Sequence, residues 1–427
     1  MKYTRPRGTH DITPLEIDRW RAVEAAFGDA FDRFGYRGIR TPVFEATELF
    51  VRAVGEHSDI VTKEMYTFTD RGGRSLTLRP ENTASVIRAY LENGMHRWGG
   101  VQRLWYLGPM FRYDRPQAGR YRQFHQVGAE ALGSANPGLD AEIIQVVVEA
   151  LAALGFAHID VRLNSVGSEK SRGPYRGVLL DAIRSLANTP GSAISPEGLE
   201  RYTKNPLRIF DAKEYDDELK RRLPVISDHL VDEDAEHFAR VREILGALNI
   251  PFTADPQLVR GLDYYTRTVF EIYHGERGAQ SALCGGGRYD ELVAECGGPP
   301  TPAIGFSAGI ERIVDALPAD SAAAVDRGEG IRYYVACIGA GAEARALAAA
   351  RLLRGFGSAQ VDLSGRSRKT QLEAAARKKA RVAVVVDAGS PGVVEWHDLA
   401  ARAEARVAED GLEAQARAER NREGEQR

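Results

Sequence analysis

Trp20, Val23, Phe27, Phe31 and Phe34 recur at helical spacing in an otherwise polar stretch. The spacing predicts an amphipathic helix that Gly35 stops. The next run, YRGIRTPVFE, reads as one extended strand, since Pro42 is incompatible with a helix interior. From Ser75 onward, strand-like runs (SLTLRP, RLWYLGPMF, FHQVGAEAL) alternate with helical patterns over Glu81 to Asn93 and Leu139 to Leu154. Consecutive strands without long crossovers predict an antiparallel sheet. Between about residues 171 and 242 the chain turns polar and helix-prone around DAKEYDDELKRR, which reads as a helical insertion. Strand signals resume in FTADPQLVRGLDYYTRTVFEIY, and AIGFSAGIERIVDAL passes from a glycine-bearing strand into a helix.

LPADSAAAVDRGEG then reads as a linker. Beyond it, IRYYVACIG, EARALAAARLLRGFG, QVDLSG, KTQLEAAARKKA and RVAVVVD alternate strand and helix, predicting a compact α/β domain. From about Gly411 the charged, alanine-rich end reads as a frayed helix or tail. The expected division is a domain over 1–325 carrying the insertion at about 171–242, the end of a linker at 326–330, and an α/β domain with a charged tail over 331–427.

A chain of 427 residues exceeds one hydrophobic core, in keeping with that division. Lys and Arg number 57 against 60 Asp and Glu, so a nucleic-acid surface must come from local clustering rather than net charge. Cys284, Cys296 and Cys337 are scattered, without disulfide or metal-site spacing, which fits a reduced cytoplasmic protein. The N-terminus has no apolar core and no span has membrane length, so neither a signal peptide nor a membrane association is expected.

Four stretches carry candidate chemistry. In TLRPENTASVIRA, Glu81 and Thr83 stand at the mouth of a helix, where an acid also serves as a simple complement to the helix dipole. FRYDRPQAGRYRQFHQVGAE holds four arginines, and Phe124, Gln126, Gly128 and Glu130 share one strand face. A ring, an amide and an acid on one face, beside arginines, are costly to bury unless each has a partner. In RGLDYYTRTVFEI, Arg260, Asp263, Tyr264 and Tyr265 interrupt an apolar strand, and the glycines of CGGGRYDELV permit close backbone approach. In AIGFSAGIERI, Arg312 lies in the first turns of a helix.

In this order the motifs resemble those of the histidyl-tRNA synthetases, a family of class II aminoacyl-tRNA synthetases. GIRTPVFE is similar to the first class II motif, TLRPENTA with GPMFRYDRPQAGRYRQFHQ to the second, and AIGFSAGIERI to the third. RGLDYYTRTVFE and LCGGGRYDEL resemble signatures particular to the histidine enzymes. The resemblance implies an α+β fold: an antiparallel-sheet class II catalytic core with a helical insertion, plus a C-terminal α/β anticodon-binding domain, in a homodimer. It implies ATP-dependent ligation of L-histidine to tRNA(His) through histidyl-adenylate, with Mg²⁺ on the ATP phosphates.

Residue by residue, the resemblance puts Arg112 and Arg260 on the α-phosphate as catalytic groups, and Phe124 and Arg312 on the two faces of adenine. Glu81, Thr83 and Gln126 receive the α-ammonium group of histidine. Glu130 and Tyr265 reach the imidazole nitrogens, with Tyr264 beside them. Arg115, Arg120 and Arg122 face the tRNA acceptor end. The basic segment GRSRKTQLEAAARKKAR, with Arg368, Lys369, Lys378 and Lys379, faces the anticodon side. The alternative is a regulatory paralogue that senses histidine for ATP phosphoribosyltransferase. Such paralogues typically lack the C-terminal domain and lose catalytic arginines, whereas Arg112, Arg260, Arg312 and the C-terminal unit are present here.

Overall fold

The computed structural model describes residues 3–55, 58, 60–114, 119–189, 193–212, 215–275, 282–319, 321 and 330–424. The chain divides into two compact units, Met1–Asp326 and Arg327–Arg427.

The first unit is built on an eight-stranded sheet. Its spatial order is Arg37–Gly38, Gln102–Phe111, Gln123–Leu132, Ala303–Gly309, Ala282–Arg288, Thr266–His274, Ile159–Ser165 and Thr253–Ala254. The inner pairs are antiparallel, and only the outermost pair on each side is parallel. The period of two decides which side chains go where. In the strand Gln123–Leu132, Val127, Ala129 and Ala131 join a core with Trp20, Val23, Phe27 and Phe31 of the helix Ile17–Arg33 and with Ile143, Val147 and Leu151 of the helix Pro137–Ala153. Gln126 and Glu130 of the same strand therefore project from the opposite face. A helix-covered side thus gives the sheet its rigidity, and the other side is left for chemistry.

The run YRGIRTPVFE is not one strand. Arg37–Gly38 pairs with the large sheet, whereas Phe44–Ala46 joins a separate three-stranded sheet with Ser75–Leu78 and Tyr66–Thr69. The Ile39 N–H donates to the Trp105 carbonyl at 2.8 Å, but Pro42 has no N–H with which to continue a ladder. Arg260, Asp263, Tyr264 and Tyr265 likewise do not interrupt a strand. The strand begins at Thr266, and residues 260–265 form the loop that leads into it.

The polar stretch after Ser165 folds as the helices Glu169–Ala187, Pro196–Lys204 and Asp217–Arg221 with short turns between them. Tyr175, Leu179, Ile183, Tyr202, Phe210 and Tyr215 give it a small core of its own. The helix Asp232–Ala247 belongs instead to the main core, through Phe238, Val241 and Leu245.

The second unit has a five-stranded sheet ordered Ala359–Asp362, Tyr333–Ile338, Val382–Asp387, Val393–Asp398 and Ala403–Ala408. The first three are parallel, connected by the helices Glu343–Leu353 and Arg368–Arg377, and the last two are antiparallel additions. The charged, alanine-rich segment after Gly411 is a helix, and a docked one rather than a frayed one. Leu412–Gly424 forms a helix in which Leu412 and Ala416 are buried, and Glu419 accepts hydrogen bonds from Arg332 at 2.7 Å, from the Tyr333 hydroxyl at 3.1 Å and from Arg381.

Candidate active site

Glu81 stands just before the helix Thr83–Glu92, and its carboxylate accepts the N–H groups of Thr83 at 2.7 Å and Ala84 at 3.0 Å. These are donors that a helix start leaves open, so the acid does cap the helix. Its surroundings go further than a cap requires. Burial pushes the Glu81 carboxyl above the usual range, while the hydrogen bonds and the nearby Arg112 oppose the rise. The Thr83 hydroxyl donates to Glu130 Oε1 at 2.8 Å and so links the two buried carboxyl groups.

Glu130 is only 1% exposed. Tyr289 donates to its Oε2, and the Tyr106 hydroxyl lies 3.4 Å from its Oε1. Burial outweighs these bonds and pushes the carboxyl up to about 8. Space for it comes from Gly305 directly opposite on the neighbouring strand, where an added Cβ would overlap Glu130 Oε2. The rings of Tyr264 and Tyr265 lie 4.6 Å apart, and those of Tyr264 and Tyr289 5.6 Å apart. Gln126 reaches Ser307 Oγ at 3.4 Å, but its Oε1 is buried with no hydrogen-bond partner among the described residues. A buried acceptor of this kind is open to a donor from water or from a ligand.

The other end of the site is cationic. Arg112 donates from Nε to the Pro80 carbonyl at 2.8 Å, and its guanidinium lies 5.3 Å from the Phe124 ring centroid. Arg260 forms an ion pair with Glu271, whose second oxygen accepts from Tyr273. The strand glycine Gly285 is required here, because a Cβ would collide with the Arg260 guanidinium. Arg312 donates to the Ala282 carbonyl at 2.9 Å and to the Gly119 carbonyl at 3.4 Å. Its pKa is depressed, first by burial and then by the charges of Arg120 and Arg112. Arg112 is depressed mainly by burial, with Arg260 adding repulsion. Three half-buried guanidinium groups, of which Arg260 is paired with Glu271, concentrate positive charge suited to an anion.

Glu81, Thr83, Gln126, Glu130, Tyr264 and Tyr265 thus come together beside Arg112, Phe124, Arg260 and Arg312. The Thr83 hydroxyl donates to Glu130 and keeps its acceptor lone pairs. Phe124 lies near Arg112, and Arg312 reaches the backbone at Gly119 and Ala282. In the arginine-rich loop, Arg120 pairs with Asp114 at 3.3 Å and the Arg122 guanidinium lies 3.8 Å from the Tyr113 ring centroid. Arg115 lies outside the described residues. In the second unit Lys369, Lys378 and Lys379 are exposed, whereas Arg368 is committed to Glu395.

Tyr289 and Glu271 are members of the site that sequence reasoning missed. Tyr289 stands inside CGGGRYDEL, two residues past the last glycine, which was the available signal. Glu271 gave none, because its role follows from pairing with Gly285.

The chain matches the histidyl-tRNA synthetase family over residues 8–313. It belongs to the histidyl-tRNA synthetase family. The histidine-tRNA ligase of Thermosynechococcus vestitus is 48% identical over 393 residues, covering 90% of this chain and 89% of that protein. That of Pelotomaculum thermopropionicum is 44% identical over 416 residues, covering 96% and 97%. Among solved structures, apo histidyl-tRNA synthetase of S. aureus superposes with a TM-score of 0.79 at 33% identity, covering 96% of this chain and 99% of that one. An ATP phosphoribosyltransferase regulatory subunit/histidyl-tRNA synthetase from Bacillus halodurans shares the fold at a TM-score of 0.66 and 21% identity, over 91% of this chain and all of that one. Histidyl-tRNA synthetase membership therefore rests on both sequence and fold.

Proposed function

We infer that the chain is a histidine-tRNA ligase, activating L-histidine with ATP and transferring it to tRNA(His). The observation that carries this reading is the junction of two chemistries in one site. A pocket closed by Glu81, Thr83, Glu130 and tyrosines meets the mutually repelling Arg112, Arg260 and Arg312.

In the first step a carboxylate oxygen of histidine attacks the α-phosphorus of ATP. The bond from that phosphorus to the bridging oxygen breaks, and pyrophosphate leaves. Arg112 and Arg260 face the charge that builds on the phosphoryl oxygens, where planar two-point donors are most effective. Phe124 and Arg312 flank the adenine. The α-ammonium group is received by Glu81, the Thr83 hydroxyl oxygen and the open Gln126 Oε1, while Thr83 also bonds both carboxyls. Glu130, whose carboxyl burial pushes up to about 8, can share a proton with an imidazole of ordinary pKa about 6.5. With Tyr265 it reaches the two ring nitrogens, and Tyr264 stands beside them. Side chains lacking them leave buried groups unpaired, a discrimination of about 10⁴ or more.

In the second step a terminal ribose hydroxyl of the tRNA attacks the activated carbonyl and AMP leaves. Arg120 and Arg122 face the acceptor end. The second unit binds the anticodon side through Lys369, Lys378 and Lys379, with Arg368 contributing only where its bond to Glu395 yields. Mg²⁺ is carried on the ATP phosphates and water.

The chain acts as a homodimer, a reading supported by Val43, Phe44 and Phe68, which are exposed on the small sheet with the two phenylalanine rings 6.4 Å apart. The three unpaired cysteines suit the cytoplasm, and no described helix is long and apolar enough to cross a membrane. A purely regulatory role is less supported, because the arginines and the second unit are both in place. The test is ATP–pyrophosphate exchange with each amino acid in turn, followed by charging of bulk tRNA. Exchange with histidine alone and charging of one tRNA family are expected, and exchange with another amino acid, or none, would overturn the reading.

A further inference from the structure

The loop 260–265 carries Arg260, Tyr264 and Tyr265, and the helical insertion grips it from behind at two points. The first is Arg172, in the first insertion helix, whose side chain is 7% exposed. Its Nη1 donates to the Tyr265 carbonyl, while carboxylates of Glu169 and Glu291 stand 3.7 and 4.0 Å away. A cation so deeply buried is costly without fixed partners, so its bond to the loop is a committed one. Glu291 follows Tyr289 by two residues, so a single guanidinium ties together the segments bearing Tyr265 and Tyr289, two sides of the pocket.

The second point is Asp263. Its carboxylate accepts from Asn205 Nδ2 at 3.0 Å and from Arg208 Nη2 at 3.2 and 3.4 Å, both from the insertion. Gly55, at φ +96°, leaves room on the other side, where a Cβ would stand 2.9 Å from Asp263 Oδ2. Asn205 and Arg208 are held in turn by the insertion core, through Pro206, Ile209 and Phe210. Arg260, at the start of the loop, has a different anchor, Glu271 on the central sheet.

We propose that the insertion sets the affinity of the pocket for histidine, with Arg172, Asn205 and Arg208 as positioning residues that hold Tyr264 and Tyr265 through the Tyr265 carbonyl and the Asp263 carboxylate. The proposal rests on the histidine reading of the pocket. It assigns to the clamp the binding of ground-state histidine, and leaves the transition-state charge to Arg260, which the sheet holds. A merely structural link between insertion and core makes another forecast, in which its loss lowers the melting temperature and the active fraction while the Michaelis constant for histidine stays put.

The experiment uses full-length Asn205→Ala, Arg208→Ala, the double variant and Asp263→Asn, with Arg172→Lys as the milder change at the more buried position. Histidine-dependent pyrophosphate exchange is measured together with histidine binding by calorimetry without ATP. In the double variant KM and Kd for histidine should rise about tenfold, the scale of one lost charged hydrogen bond. Its kcat and its KM for ATP should stay within about twofold of the parent. Folded variants that keep the parental Kd for histidine would overturn the proposal. A parent that binds histidine but shows no exchange would instead defeat the proposed function, leaving the clamp to be judged by the calorimetry.

Discussion

Glu130 is buried against Thr83, Tyr106 and Tyr289, and in the folded chain its carboxyl is pushed up from the usual carboxylate range to about 8. Its pKa is raised on folding, so its contribution to stability is complete below the unfolded value and is lost as pH rises through the folded one. The ligand-free protein should therefore lose stability between about pH 5 and pH 8, with a slope approaching about 1.4 kcal/mol per pH unit from this group. Thermal melts of Glu130→Gln should show a shallower decline over that range, and equal slopes for parent and variant would refute the assignment. The placement of Gln126 and Glu130 on one face was legible in the sequence, because strand period alone decides it. Their neighbours were not. Gly305 opposite Glu130 and Gly285 opposite Glu271 each make room for a functional group, and such cross-strand pairs become visible only with the register.

At the scale of elements, the long strands Gln102–Phe111 and Gln123–Leu132 and the helices Ile17–Arg33 and Pro137–Ala153 were readable, since each carries enough periodic positions to announce itself. The shorter pieces failed for identifiable reasons. GIRTPVFE has a strand-like composition throughout, but Pro42 breaks its ladder and hands its two ends to different sheets. Residues 260–265 look like the start of the apolar strand that follows them, yet the side chains of Arg172, Asn205 and Arg208 hold them as a loop. The helix Leu412–Gly424 has few apolar residues, and its docking depends on the buried Glu419 satisfying Arg332, Arg381 and Tyr333, a long-range match that local composition does not reveal.

For the whole molecule, balanced charge concealed the local clustering that matters. A formal net charge of −3 coexists with the arginine-lined site and with the exposed lysines of the second unit. The apolar patch of Val43, Phe44 and Phe68 carries the prediction at this scale. Sedimentation at micromolar concentration should show a dimer, and Phe44→Asp with Phe68→Asp should shift it toward monomer by placing unpaired charges in a self-facing interface. A parent that sediments as a monomer would contradict the assembly.

The central claim is that this site activates histidine rather than merely sensing it, and Arg260 separates the two. If, as proposed, Arg260 is a donor aimed at developing phosphoryl charge, Arg260→Ala should slow single-turnover formation of histidyl-adenylate by about 10² to 10³, or about 3 to 4 kcal/mol. The KM for histidine should move far less, because the proposed reading gives the ground state to Glu81, Gln126, Glu130 and Tyr265. Arg260→Lys should restore little, since a single ammonium cannot make a planar two-point contact. Adenylate formation at the parental rate by a stably folded Arg260→Ala protein would contradict the account.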